Sequence, residues 1–375
     1  MAKSIYDIIT RDKGIKDRDS LSSYLVQTDL PTEFISTNVV ALNLLFSGQV
    51  NGGIPKGKLS MISAPSMLGK SFIAMSVAKS AQKKGMTVVI IDTERAFSFK
   101  LAEGLGLDTS KEKLVVLQEN RIEEVKSIVM TICDKLTLEE KRNTLFLIDS
   151  WGTLVTSKAI KDSLTGNDVV DMTEAKKKNQ LANIILNTQA TYLVVNHVYD
   201  NTGGFGDPLV IPGGRRIIFN CDSIVLGTSR AKDKNSKKEI SGHIITAQTY
   251  KSRNSKEHSK LKFRIKNTGG LDVFFGILPD AIEGKFVEKT TKGKSTAYVR
   301  THIEGDEPAL ETEIYNSKWW KTVFMDTTFK QYLEDKYTFE DKFDITDENK
   351  EMEEVMETAT TATPTPTTTK KTKKK

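Results

Sequence analysis

Residues 58–92 read "KLSMISAPSMLGKSFIAMSVAKSAQKKGMTVVIID", and no other stretch constrains the fold as tightly. A short apolar run, "KLSMIS", passes through a small loop into a segment with helical spacing, which stops at Gly85. A second apolar run, "MTVVIID", follows at once. Two strands joined by a helix lie parallel, because a crossover of that length returns the chain to the same edge of the sheet. The alternation continues through "KLVVLQ", "NTLFLID", "ATYLVVN" and "CDSIVLG". Strands this uniformly apolar are covered on both faces, so the reading is an α/β fold, a mostly parallel sheet flanked by helices. Two later runs, "GHIITAQTYKSR" and "SKLKFRIKNTGGLD", predict antiparallel strands added at an edge. No internal repeat is visible.

The loop between the first strand and its helix, Ala64, Pro65, Ser66, Met67, Leu68, Gly69, Lys70, Ser71 and Phe72, has the form of a phosphate cradle. Successive backbone N–H groups at a helix N-terminus bind anions. Lys70 would reach the β- and γ-phosphates, and the Ser71 hydroxyl would ligate Mg²⁺. Ala64 stands where the first glycine of such a loop is expected. It costs little if its φ is negative and on the order of 1 kcal/mol or more if positive.

Three other strands end in fitting chemistry. "LFLIDS" ends in Asp149, a carboxylate for the Mg²⁺ shell, although an Asp at a strand end is common. "VVIIDTE" ends in Asp92 and Glu94, and a carboxylate there could deprotonate the attacking water. Its plainer reading is a loop acid. "LVVNH" ends in Asn196 and His197, which could sense a γ-phosphate, while a lone His is more often structural. Ligands bind at the carboxyl ends of parallel strands, and four such ends at one edge read as a nucleoside-triphosphate site using Mg²⁺.

The chain of 375 residues has room for two or three domains. Its apolar runs are too short to span a membrane. The charged N-terminus, "MAKSIYDIIT", does not read as a secretory signal, and Cys133 and Cys221 alone fit a reducing cytosol rather than a disulfide or zinc framework. The net charge of +6 is uneven: "EAKKKNQ", "SRAKDKNSKKE" and "YKSRNSKEHSKLKFRIK" are basic, and residues 334–357 are acidic. One cluster would be an ordinary solvated face, but several around a nucleotide core suit a polyanion partner.

The order of phosphate loop, "IIDTE", "LFLIDS" and "LVVNH" followed by a Gly-rich stretch resembles the RecA recombinases, most nearly the UvsX branch of tailed bacteriophages. "STNVVALNLLFSGQVNGGIPKGKLSMISAPS", "DMTEAKKKNQL", "TYKSRNSKEHSKLKF" and "GGLDVFFGILPDAIEGKFVEK" are similar to that family too, so the likeness covers about residues 35–340. It implies a RecA-like P-loop NTPase core at 35–269. Around it come an N-terminal oligomerisation arm at 1–34 and a small mixed α/β C-terminal domain at 270–340. The acidic, then Thr/Pro/Lys-rich tail at 341–375 reads as disordered from its low complexity, and its Thr/Pro repeats and Lys end depart from the family.

The resemblance also implies roles. Lys70 and Ser71 hold phosphate and metal, Asp149 supports the metal, Glu94 activates water and His197 senses the γ-phosphate. Lys251 and Arg253 resemble a basic pair that reaches a neighbouring subunit's γ-phosphate. Residues 158–178 and 197–216 correspond to two DNA-binding loops. Read from the residues themselves, the amides of Gly213 and Gly214 and the side chain of Lys176 could approach phosphates beside Arg215 and Arg216, and Phe205 could stack on bases; the plainer readings are an ordinary mobile surface loop and a Phe packed on its own domain. The implied activity is a DNA-dependent ATPase that forms a helical filament on single-stranded DNA and pairs it with homologous duplex. A single-strand-binding protein and a loading mediator are implied partners, in the cytoplasm of a bacterial host if the gene is phage-borne. Leu101 departs from the family, which commonly has a Tyr against the adenine. Two other readings remain: a hexameric helicase on the same core, and a nucleotide-binding DNA-coating paralogue with little hydrolysis.

Overall fold

The computed structural model describes residues 33–166, 173–201, 209–235, 238–268 and 270–339. Nearly all of the expected arm, the expected tail, Phe205 and the centres of both expected DNA loops lie outside the described residues.

In chain order the strands are β1 (Phe34–Ile35), β2 (Ile54–Pro55), β3 (Leu59–Ser63), β4 (Thr87–Asp92), β5 (Leu114–Leu117), β6 (Thr144–Asp149), β7 (Thr191–Asn196), β8 (Tyr199–Asp200), β9 (Leu209–Val210), β10 (Ser223–Lys234), β11 (Ile240–Ser252), β12 (Lys260–Lys266), β13 (Gly270–Leu271), β14 (Val287–Lys292), β15 (Ser295–Arg300) and β16 (Ala309–Leu310). Nine of them form one sheet in the order β13-β12-β11-β10-β3-β7-β6-β4-β5. From β10 to β5 the pairs are parallel, and β10 to β13 are antiparallel. The expected mixed sheet with an antiparallel edge is therefore present.

Both faces of the sheet are buried, and alternate residues of one strand go to opposite faces. Val88, Ile90, Leu145 and Leu147 pack with Ile73, Ala74, Val77 and Ala78 of the helix Lys70–Lys83. Val89, Ile91, Phe146 and Ile148 pack with Val125 and Val129 of the helix Ile122–Asp134 and with Leu181 and Ile185 of the helix Glu174–Thr188.

The helix Val40–Ser47, "VALNLLFS", is apolar apart from Asn43 and Ser47 on one face, and all eight of its residues are buried. A buried helix end needs partners for its last carbonyls. Here hydroxyls supply them: Thr249 and Ser255 donate to the Leu45 carbonyl, and Ser252 donates to that of Phe46.

Beyond β13, the strands β14, β15 and β16 make a small antiparallel sheet. Helices Ser317–Val323 and Thr327–Tyr337 pack against it through Trp320, Phe329 and Leu333. These residues join the same buried cluster as Val40 and Leu44, which ties the small unit to the sheet.

Candidate functional site

The register of the parallel strands sets their ends in one row. Ser63 pairs with Asn196, Val195 with Asp149, and Asp149 with Asp92. The residues that follow these ends, the Ala64–Ser71 loop, His197, Ser150 and Glu94, therefore converge at one edge of the sheet. β4 is not beside β3; β7 and β6 stand between them.

The loop turns into its helix at Gly69, which has φ of 76°. A Cβ there would lie 2.2 Å from Cδ1 of Ile265, the end of a side chain that can shift, so it is the left-handed backbone that calls for glycine. Met67 also has positive φ, and it is exposed. Ala64 is absent from the left-handed residues, so it carries no such strain. Its N–H donates to the Asn196 carbonyl, and its methyl sits over Gly227, where a Cβ would come within 2.9 Å of it. The unusual alanine is matched by a glycine on the neighbouring strand.

Lys70 is buried, and its Nζ donates to the carbonyls of Ala64 (2.8 Å) and Pro65 (3.0 Å). Burial pushes its pKa down, against the opposing pull of Asp149 and Glu94. Burial also raises the Asp149 carboxyl, with Glu94 and Asp92 adding repulsion, while a Ser71 hydrogen bond and Lys70 oppose the rise. A desolvated carboxylate beside a hydroxyl suits a hard cation completed by phosphate oxygens and water. Among the described residues no cluster of three or more His, Cys, Asp or Glu could hold a metal without such help.

Glu94 Oε1 accepts two hydrogen bonds, from Ser150 Oγ at 2.7 Å and from His197 Nε2 at 3.0 Å. Burial raises the Glu94 carboxyl, but these bonds outweigh it and hold the group below its ordinary value. The other nitrogen of His197, Nδ1, lies 3.5 Å from Lys70 Nζ. Asp92 takes the plainer of the two roles open to it: it accepts from the N–H groups of Ala96 and Phe97 and so fixes the turn that carries Glu94. Asn196 is structural as well, donating to the Pro212 carbonyl.

Lys251 and Arg253 are not in this row. Lys251 pairs with Ile224, which pairs with Met61, and Arg253 lies beyond the end of β11 at the amino-terminal edge of β3. Lys251 Nζ instead donates to the carbonyls of Ile218 (3.0 Å) and Phe219 (2.8 Å), near the end of the helix Arg215–Asn220. Burial lowers its pKa.

The other end of that helix carries Arg215 and Arg216, both exposed. Gly213 and Gly214 precede them with φ of 99° and 94°. Gly213 lies against the buried Trp151, whose Nε1 donates to its carbonyl at 3.1 Å. Lys176 is exposed on the first turn of the helix Glu174–Thr188. The segment expected to be the first loop, 158–178, is helical at both described ends, over Ser157–Leu164 and from Glu174.

Beside the phosphate loop opens a cleft of about 840 Å³, lined by Phe72, Ser98, Lys100, Leu101, Asn267 and Gly270 among others. Leu101 is exposed there, and the Phe72 ring lies against Gly270. Thr93 and Ser150 were not singled out from sequence. Their only signal is position, next to strand-end carboxylates.

A family model described as RecA N-terminal domain matches residues 15–272. The chain is 24% identical over 318 residues to the Recombination and repair protein of Enterobacteria phage T4, covering 81% of this chain and 79% of that protein. It is 27% identical over 293 residues to Protein RecA of Rhodopirellula baltica, covering 76% and 74%. To Protein RecA of Clostridium botulinum strain Eklund 17B it is 28% identical over 266 residues, covering 70% and 71%.

Proposed function

Because the chain belongs to the RecA family and is a recombinase, we propose that it hydrolyses ATP at the Lys70 site, assembles head to tail on single-stranded DNA and pairs that strand with a homologous duplex. One observation carries the reading. The phosphate loop, Asp149, Glu94 and His197 share one sheet edge, while Lys251 and Arg253 lie toward the other. A site divided in this way is completed by the next subunit, and head-to-tail contacts that do not close give an open helix.

The loop amides and Lys70 bind the phosphates, Lys70 exchanging the carbonyls of Ala64 and Pro65 for phosphate oxygens. Ser71 and Asp149 hold Mg²⁺, which supplies charge neutralisation at the β- and γ-phosphates. Glu94 accepts a proton from the water that attacks the γ-phosphorus as the bond to the ADP oxygen breaks. His197 senses the γ-phosphate, and Lys251 and Arg253 of the adjoining subunit stabilise the transferring group. The base occupies the cleft between Phe72 and Leu101.

Lys176, Arg215, Arg216 and the amides of Gly213 and Gly214 hold the DNA backbone, Phe205 contacts the bases, and sequence is read by pairing between strands. His197 begins the segment that leads to Gly213 and Arg215, so nucleotide state and DNA contact share one stretch of chain. A single-strand-binding protein and a loading mediator belong to the same proposal as partners.

Mixing two inactive variants tests the divided site. Lys70→Ala and Lys251→Ala each lose DNA-stimulated ATP turnover. In an equal mixture, about a quarter of the junctions join an intact loop to an intact Lys251, so turnover partly returns. A mixture as inactive as its components would remove the composite site.

A further inference from the structure

Taking Glu94 as the base, as proposed above, we infer that Ser150 is its positioning residue, the fixed partner that keeps the carboxylate aimed when His197 turns to the nucleotide. Both partners bond the same oxygen, Oε1. Glu94 Oε2 accepts no hydrogen bond from a described residue. It is therefore the oxygen placed to take the proton from water.

The two partners differ in how they are held. Ser150 is fully buried. Its N–H donates to Thr93 Oγ1 at 2.6 Å, and its carbonyl accepts from Thr93 Oγ1 at 2.9 Å and from Thr153 Oγ1 at 3.0 Å. The next residue, Trp151, is fully buried and donates its N–H to the Val195 carbonyl. Thr93 is also the residue before Glu94, and its own N–H donates to the Asp149 carbonyl. The hydroxyl of Ser150 and the backbone of Glu94 are thus joined to one knot of hydrogen bonds across β4 and β6.

His197 has no such restraint on its ring. It is partly exposed, bonds Glu94 through one nitrogen and faces Lys70 Nζ through the other at 3.5 Å. Phosphates arriving at Lys70 would draw that ring away from Glu94. Without Ser150 the carboxylate would then lose both restraints, and a rotating base gives up the alignment that proton transfer needs.

The test uses the full chain with single-stranded DNA and compares Ser150→Ala, Glu94→Gln and the double variant. Ser150→Ala should lower kcat by roughly tenfold to a hundredfold, the span expected for one hydrogen bond to a charged group. KM for ATP and the affinity for a non-hydrolysable ATP analogue should stay within about twofold, because binding does not use that bond. In the Glu94→Gln background, Ser150→Ala should change turnover little, since the residue acts through Glu94. Wild-type turnover in Ser150→Ala beside an impaired Glu94→Gln would overturn the inference alone. So would loss of analogue binding in step with kcat, which would make Ser150 merely structural. Full turnover in Glu94→Gln would bring down the assignment of the base, and this inference with it.

Discussion

The alanine at position 64 shows how one side chain is licensed by another far away in sequence. Its backbone avoids the left-handed region, and its methyl takes space that Gly227 leaves open. The cost of Gly227→Ala is therefore set by Ala64. The added methyl would meet Ala64 Cβ at 2.9 Å, and overpacking of this kind costs about 1–3 kcal/mol. Thermal unfolding should show Gly227→Ala lowered in Tm, and Ala64→Gly in the same chain should restore part of the loss. Full additivity of the two changes would mean the contact has no energetic content. Phosphate binding does not need a glycine at this position, so Ala64→Gly alone should leave ATP affinity within about threefold.

Among the elements, the stems of the first candidate DNA loop hang on one carboxylate. Glu123, on the helix Ile122–Asp134, accepts from the Ser157 N–H and hydroxyl at 3.0 Å and from Lys177 at 2.6 Å. The helices Ser157–Leu164 and Glu174–Thr188 are thereby bound to a third. Burial raises the Glu123 carboxyl, but the bonds from Lys177 and Ser157 prevail and hold it at about 2, against 4.5 unperturbed. A folded-state pKa below the unfolded one adds stability that is complete above about 4.5 and fades as pH falls toward 2. Urea midpoints at pH 5 and pH 3 should accordingly show Glu123→Gln less stable than wild type at the higher pH, with the gap narrowing at the lower. A gap that stays constant would mean the carboxylate charge is not what joins the stems. In DNA-binding assays the same variant should lose affinity while ATP affinity holds.

On the scale of the whole molecule, Lys251 has two places to be. Within its own subunit it caps carbonyls near the end of the helix that begins with Arg215 and Arg216. In the proposed filament it would leave them for a neighbour's phosphate. That exchange would link the nucleotide at one interface to the helix bearing the DNA contacts. If those contacts go to phosphates, DNA affinity should fall steeply and linearly with log salt concentration. Arg215→Ala and Arg216→Ala should each reduce the slope by roughly one. A flat dependence would sink the phosphate-contact reading.

Among the described residues no helix is long and apolar enough to cross a membrane. The family likeness expected from the phosphate loop and the three strand ends is borne out, with a phage recombination protein and bacterial RecA proteins among the relatives.

The sequence by itself determined the elements and the chemistry at their ends. Periodicity and glycine stops are local, and each of the six parallel-sheet strands read from them is present, with β10 running on to Lys234. Asp149, Glu94 and His197 could be picked out because a polar group after a buried run is visible without knowing its neighbours. The tertiary structure decided which strand lies beside which. β7 and β6 come between β3 and β4, and only that order brings His197 and Ser150 to the same oxygen of Glu94. It also decided that Asp92 braces a turn while Glu94 faces His197 and Ser150, and that Lys251 lies toward the far edge from Lys70. Strand order follows from how long crossovers bury two apolar faces at once. That is a sum over the whole sheet, and no window of residues contains it.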